Sequence, residues 1–376
     1  MGGNLVSLFG DRIYLIALPW LVYNLTGSTV AMGAIAAVER LPNLLQPLMG
    51  TLVDRLDRKK IMLFCDLVRS FLLCSLGALD VSGHLVMWEL YAGALILGVS
   101  SQFYQTSQFA FIPSLVRTEE RHLMNAFNSG VFHTAEFIGP AIGGLVIGLY
   151  GPGWALIANG VSFLASFWAV TLIPFPRLEG FHHSRFWVEL KEGFRFVLKN
   201  RLLLYTNAAL LISGFGTTLF LTLMVFYFRD AAGLDAKQTG IILSVGGLVA
   251  VGGAFSSNVL RDYVSDRLVI IGGLIIGGLS IIWFGVVTSF SMLLVSNALG
   301  VLAVSILNPC ILTLRQSLIP DHLLGRVQAV SRFMTWSLMP VAALLAGGLS
   351  AIWGIGSVIV IGGVIRCLAA LILLKK

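Results

Sequence analysis

Six ionisable or amide side chains, Asp11, Glu39, Arg40, Gln102, Gln105 and Glu136, lie inside long apolar stretches, where a polar group is expensive. A charge at the centre of a bilayer costs on the order of 2.5–3.5 kcal/mol even on the most lenient insertion scale, so none of the four charged residues is expected to face acyl chains. At the rise of a helix, Asp11 falls about 12 Å from the cytoplasmic end of its span, Glu39 and Arg40 about 15 Å from the outer end of theirs, and Glu136 about 18 Å along its own. This shared depth predicts that they meet in an aqueous chamber or pair with one another. A carboxylate so placed can take up a proton when it loses water and surrender it when Arg40 or Arg12 approaches, letting a proton and a bound solute compete for Asp11 or Glu136. The alternative is a static pair that only fixes helix packing. Gln102, Tyr104 and Gln105 either line the chamber or bond between helices, and His133, one turn before Glu136, either tunes it or is a packing residue. Arg12 points about 100° away from Asp11 and is expected to act as a counter-ion or to snorkel; Arg366, nearer a span end, is expected to snorkel.

Long apolar elements must hold these groups. The 376 residues are 57% hydrophobic and 11% charged with a mean hydropathy of +0.89, too little polar surface to clothe a soluble globule. Apolar runs of about 20 residues, the length that crosses a bilayer, predict spans near 3–24, 30–53, 61–80, 85–112, 123–148 and 154–174. Six more follow near 202–228, 236–259, 267–288, 291–314, 325–349 and 352–374. Asp11 and Arg12 inside the first span, with no basic segment before it, mark a permanent helix rather than a cleaved signal. Between the two sets, residues 175–200 carry Trp187, Leu190, Phe194 and Val197 on one helical face among Arg and Lys, which predicts an amphipathic connector on the inner surface. The chain is thus expected to divide into bundles at 1–174 and 201–376 joined by 175–200.

Most of the 25 Lys and Arg residues fall after even-numbered spans or in the C-terminal tail, and only Arg229 and Lys237 face the other way, so both termini are expected in the cytoplasm. The same distribution accounts for the net charge of +7 without a nucleic-acid partner. Cys65, Cys74, Cys310 and Cys367 have no pairing or metal-ligand spacing and read as small core residues, with no metal or other cofactor expected. An internal repeat is visible at an offset near 203 residues: Ser114-Leu115-Val116 with Ala126 is echoed by Ser317-Leu318-Ile319 with Ala329, and Gly143-Gly144 by Gly347-Gly348.

Three motifs carry a resemblance. The turn Gly50-Thr51-Leu52-Val53-Asp54-Arg55-Leu56-Asp57-Arg58-Lys59-Lys60 resembles the signature loop between helices 2 and 3 of the major facilitator superfamily. Gly139-Pro140-Ala141-Ile142-Gly143-Gly144 in span 5 resembles that family's antiporter motif. Phe9-Gly10-Asp11-Arg12 and the segment from Ala17 to Ser28 look like the first span of its drug:proton antiporter branch, which includes macrolide and siderophore exporters. The resemblance implies an all-α membrane protein of twelve transmembrane helices in two six-helix bundles related by a pseudo-two-fold axis. It further implies a cytoplasmic latch made by Gly50, Asp54, Arg55, Arg58 and Lys59, and a tightly packed half-to-half seam at Gly139, Pro140, Gly143 and Gly144. The chain departs from the family at Asp57, where many members have glycine, and in span 4, which lacks the usual arginine; a proton relay would therefore be built elsewhere. The second copy of the signature loop, Asn258-Val259-Leu260-Arg261-Asp262, has lost its glycine.

The resulting expectation is a non-enzymatic, proton-coupled exporter of small amphipathic molecules, acting as a monomer among membrane lipids in the plasma membrane. A lipid or lysolipid flippase and a transport-inactive sensor are the alternatives on the same scaffold. No Gly-x-x-x-x-Gly-Lys-Ser/Thr phosphate loop, His-Glu-x-x-His or Gly-x-Ser-x-Gly is present in the sequence.

Overall fold

The computed structural model describes residues 2–46, 49, 52–53, 56–115, 121–173, 186–320 and 323–374, with side chains described except at 2–6, 109–115, 121–133, 186–190, 258–259, 261–262, 316 and 324. The described residues are nearly all helical. In order, the helices are α1 (Gly2–Thr26), α2 (Thr29–Arg40), α3 (Arg58–Val81), α4 (Met87–Leu115), α5 (Arg121–Tyr150), α6 (Pro152–Thr171) and α7 (Phe186–Lys199). They continue as α8 (Arg201–Phe226), α9 (Ala236–Tyr263), α10 (Asp266–Val286), α11 (Phe290–Leu318), α12 (Leu324–Trp336), α13 (Met339–Trp353) and α14 (Ile355–Ile372). Among the described residues, eight helical stretches are long and apolar enough to cross a membrane.

Two expected spans are interrupted, both at proline. The span expected at 30–53 leaves α-helical geometry after Arg40, where Leu41–Leu45 form a 3₁₀ turn with Pro42 near its start. The span expected at 325–349 divides into α12 and α13 around Ser337 and Leu338, with Pro340 in the first turn of α13. Proline lacks the N–H of the helical ladder and crowds the preceding turn, so a first-turn position is where it is tolerated.

The chain forms two compact units. The first holds Met1–Gly27, Val38–His183 and Ala236–Ser244; the second holds Ser28–Ala37, Ser184–Asp235 and Val245–Lys376. Each therefore includes a short segment from the far part of the sequence. Inside the first, α6 packs along both α1 and α3, α5 leans on α1, and α4 on α3. Inside the second, α14 packs along both α8 and α10, α13 leans on α8, and α11 on α10. This is the same arrangement made twice, the spatial form of the sequence repeat.

Small residues make these approaches possible. In the second unit a side chain at Gly33 would come 2.6 Å from the Ala343 carbonyl oxygen, and one at Gly347 would come 2.5 Å from that of Thr29. The Thr29 hydroxyl donates to the Gly347 carbonyl at 3.3 Å across the same contact. Without a hydrophobic drive between helices in lipid, such backbone approach supplies dispersion and polar contacts. The helix ends are tied in parallel fashion. Lys59 Nζ, at the start of α3, donates to the carbonyls of Thr171 (2.9 Å) and Ile173 (2.7 Å) at the end of α6. Arg267, at the start of α10, donates through Nε to the Leu373 carbonyl (2.8 Å) beyond α14. A cation on terminal carbonyls satisfies acceptors that the helix leaves open and complements its dipole.

The connector helix α7 is present, and its Phe194 and Val197 pack on Val327 and Val330 of α12. An exposed ion pair, Arg326 to Glu192 at 2.6 Å, closes the same contact. Its apolar face is thus covered by protein at these two positions; the side chains of Trp187 and Leu190 lie outside the described residues.

Gly347 and its neighbour Gly348 give a direct check of the packing, because a side chain at Gly348 would meet nothing within 4 Å. Gly347→Val is expected to lower the melting temperature of the detergent-purified protein, in line with an overpacking penalty of about 1–3 kcal/mol, whereas Gly348→Val leaves it unchanged. Equal melting curves for the two would refute the close approach of α2 and α13.

Candidate functional site

The charged groups expected at mid-depth all belong to the first unit. Asp11 and Arg12 sit near the middle of α1, Glu39 and Arg40 end α2, and Glu136 lies midway along α5. Asp11 is exposed; Arg12, Glu39, Arg40 and Glu136 are half-buried. Arg12 Nη2 stands 3.8 Å from Glu136 Oε1, so the partner of Glu136 on α1 is Arg12. The helices come close enough for this because a side chain at Gly139 would lie 2.5 Å from Arg12 Cβ, and one at Gly143 would lie 3.0 Å from the Ile13 Cα. Glu39 lies within electrostatic reach of Arg40 and Asp11, and Tyr14 within reach of both carboxylates. The α1 face that carries Asp11 and Tyr14 and the α2 end therefore share one polar neighbourhood.

The remaining expected residues divide between roles. Gln102 is nearly buried, and its Nε2 donates to Asn43 Oδ1 at 2.5 Å, tying α4 to the 3₁₀ turn after α2; it is an inter-helix strut. Gln105 is exposed. Of the antiporter motif, Gly139 and Gly143 face α1, while Gly144 packs against Gly240 of α9, whose own side-chain position would be 2.6 Å from the Pro140 carbonyl oxygen. Those α9 residues belong to the same compact unit as α5. Of the latch residues, Gly50, Asp54 and Arg55 lie outside the described residues, as does the side chain of His133. Arg58 opens α3, and Lys59 caps α6 as described above. Asp57, the residue that departs from the family pattern, is the N-cap of α3: its carboxylate accepts from the backbone N–H of Lys59 (3.0 Å) and Lys60 (3.2 Å).

Two buried clusters are built around arginine in addition to these residues. Asp66 on α3 is fully buried and holds Arg69 one turn later at 2.5 Å. The Arg69 guanidinium lies 4.2 Å from the ring centres of both Tyr104 on α4 and Phe163 on α6, a cation between two aromatic faces. An acid and an arginine three apart in an apolar run is a pairing pattern, and it was the available signal. In the second unit Arg315 on α11 is 7% exposed; its Nη2 donates to Asn207 Oδ1 (2.8 Å) and its Nη1 to Gln328 Oε1 (3.3 Å), both neutral amides. Asn207 donates in turn to Ser331 at 3.0 Å. Arg366, expected to snorkel, instead is 5% exposed, lies over Gly277 and donates to the Thr217 hydroxyl at 3.1 Å. The reason is local: the missing side chain at Gly277 leaves a slot that the guanidinium fills.

The first unit thus gathers carboxylates and guanidiniums that are near one another yet differ in exposure. The comparisons with known proteins agree with a membrane transporter. The chain is 25% identical over 358 residues to the multidrug efflux pump Tap of Mycolicibacterium fortuitum, covering 91% of this chain and 86% of that one. It is 23% identical over 354 residues to macrolide efflux protein A of Streptococcus pyogenes, covering 92% and 86%. A bacterial homologue of the iron transporter ferroportin, solved in an inward-facing state, superposes with a TM-score of 0.79 at 15% identity over 99% of this chain and 96% of that one. A point mutant of the nucleoside transporter NupG superposes with a TM-score of 0.78 at 12% identity, covering 99% and 98%. The family model described as Major Facilitator Superfamily matches residues 1–343, and with the duplicated helix arrangement and the polar groups inside the spans it assigns this multi-pass membrane protein to that superfamily.

Proposed function

We propose that the protein is a proton-coupled exporter of amphipathic small molecules, working by alternating access of two six-helix halves, 1–174 and 201–376, joined by the connector at 175–200. The observation that carries this reading is the pairing of Arg12 with Glu136 beside the exposed Asp11, inside helices of a superfamily member whose relatives are named multidrug and macrolide efflux pumps. Carboxylates kept within reach of guanidiniums and solvent can exchange a proton for a cationic or polar portion of the solute. Asp11, Glu39, Arg40 and Glu136, with the exposed Gln105, are the groups proposed to meet proton and solute, and Gln102 is proposed to hold the α2 end beside them. The export direction rests on the ordered Gly139, Pro140, Gly143 and Gly144 and on the names of the relatives. The positive-inside distribution supports cytoplasmic termini in a plasma membrane, and the working unit is proposed to be a monomer surrounded by lipid. The latch at Gly50, Asp54, Arg55, Arg58 and Lys59 is proposed to hold the cytoplasmic side closed in one half of the cycle.

The test is transport by the purified protein in liposomes with an imposed pH gradient, using ethidium as a cationic probe and a fluorescent lysolipid in a parallel arm. Gradient-driven movement of ethidium supports the exporter; movement of the lysolipid alone would replace it with a flippase, and movement of neither would leave a transport-inactive sensor. Glu136→Gln is expected to reduce gradient-driven ethidium transport by about tenfold, the factor that corresponds to about 1.4 kcal/mol, and to flatten its dependence on pH. An unchanged pH profile would remove Glu136 from the proton site. Asp54→Ala, made in normal amounts, is expected to slow the cycle several-fold while leaving ethidium binding intact; a normal rate would dismiss the latch.

A further inference from the structure

Asp66 and Arg69 form a polar core that transport through Asp11 and Glu136 does not use. The Asp66 side chain is fully buried, and only its Oδ1 accepts from Arg69 Nη2, at 2.5 Å. Its Oδ2 is buried and makes no hydrogen bond within the usual geometric limits, although the Ser166 hydroxyl stands beside the carboxylate. The groups around the pair come from every helix that packs there. On α3, Arg69 Nε donates to the Cys65 carbonyl at 3.3 Å, and the Cys65 thiol lies beside the pair. On α4 stands Tyr104, whose hydroxyl is 3.3 Å from that of Ser166. On α6 are Ser166 and Phe163, and that helix carries no ionisable side chain. On α1 stands Asp11, within electrostatic reach of the same Arg69. One guanidinium is thus bonded to a sealed carboxylate and within electrostatic reach of a second, on α1.

From this arrangement we propose that Asp66 is a second, buried proton site, coupled to the exposed Asp11 through the guanidinium they share, Arg69. The balance is simple. A proton arriving by way of Asp11 forms an O–H bond at Asp66 Oδ2, Asp66 loses its charge, and the Arg69 bond to Oδ1 weakens in favour of the Asp11 carboxylate. Loss of the proton reverses the exchange. No net charge is added to the interior without a carboxylate to receive it, which is the condition for carrying a proton through a region of low polarity. The aromatic faces of Tyr104 and Phe163 hold the guanidinium in the slot while its partner changes, because they attract the cation without fixing a hydrogen-bond direction. The stacking also explains why α3, α4 and α6 all contribute to one arginine. This inference rests on the proton-coupled reading above, and deepens it by adding a site that the solute does not reach.

The test reads protonation with no transported solute present. The full-length protein is reconstituted in lipid vesicles, and infrared difference spectra between acidic and alkaline buffer report the carbonyl stretch of protonated carboxyl groups. Asp66→Asn is expected to delete one component of that signal, which Asp11→Asn retains. Asp11→Asn is expected to move the pH at which the Asp66 component appears to a more acidic value, because Arg69 is then left to Asp66 alone. Should Asp66→Asn fail to fold with Arg69 unmatched, Asp66→Asn combined with Arg69→Met fills the slot with neutral groups and is expected to show the same loss. A carboxyl signal identical to the parent's in the folded variant overturns the proton site, and a component whose pH is unmoved by Asp11→Asn overturns the sharing of Arg69. Failure of the exporter reading appears only in the vesicle transport assay, so the two can fail separately.

Discussion

A guanidinium inside an apolar bundle must be given its partners by the helices around it, and much of this structure follows from that requirement. Arg69 is met by a carboxylate and two aromatic faces, Arg12 by Glu136, Arg315 by two amides, and Arg366 by a hydroxyl and the slot at Gly277. Each solution draws on at least one neighbouring helix or turn. Helices that supply such partners cannot slide past one another without exposing a charge, so the cations set register as well as chemistry.

The two units repeat one packing scheme but not one chemistry. Lys59 and Arg267 clamp equivalent helix ends, and the α1, α3 and α6 trio is matched by α8, α10 and α14. The carboxylates set within apolar spans, Asp11, Glu39, Asp66 and Glu136, all belong to the first unit, and no glutamate follows Glu192 in the sequence. Where the first unit places Asp11 after Gly10, the second places Thr217 after Gly216. Arg366 accordingly finds a neutral oxygen where Arg69 has acids within reach. Both glycines leave room for a neighbouring helix, Gly10 for the side chains of Asn159 and Ser162 and Gly216 for the Gly362 carbonyl, while the acids within spans belong to one copy.

Much of this was legible in the residues. Run length located the long helices, because hydrocarbon thickness admits few alternatives. The glycines of the antiporter motif signalled close approach, and coordinates add that Gly139 and Gly143 face α1 while Gly144 faces α9. Hydropathy could not show the breaks near Pro42 and Pro340, since it averages over a run and does not register a missing backbone N–H. Burial of Arg366 was hidden for a different reason: its slot exists only because Gly277, about ninety positions away, lacks a side chain. Asp66 and Arg69, one turn apart in an apolar run, spell a pair in the sequence, but their burial depends on α4 and α6 closing over them. For Gln102 the residues left open a cavity position and a bond between helices, and its bond to Asn43 depends on where that distant amide stands.

The interruption at Ser337 and Leu338 carries a mechanical consequence. It replaces a single rod with two, α12 and α13, each about 20 Å long by helical rise. The rod α13 is seated on Gly33 through Gly347, and α12 is fastened to the connector through Glu192 and Arg326. Each rod therefore has an anchor of its own, so loosening the glycine seat of one leaves the ion pair of the other in place.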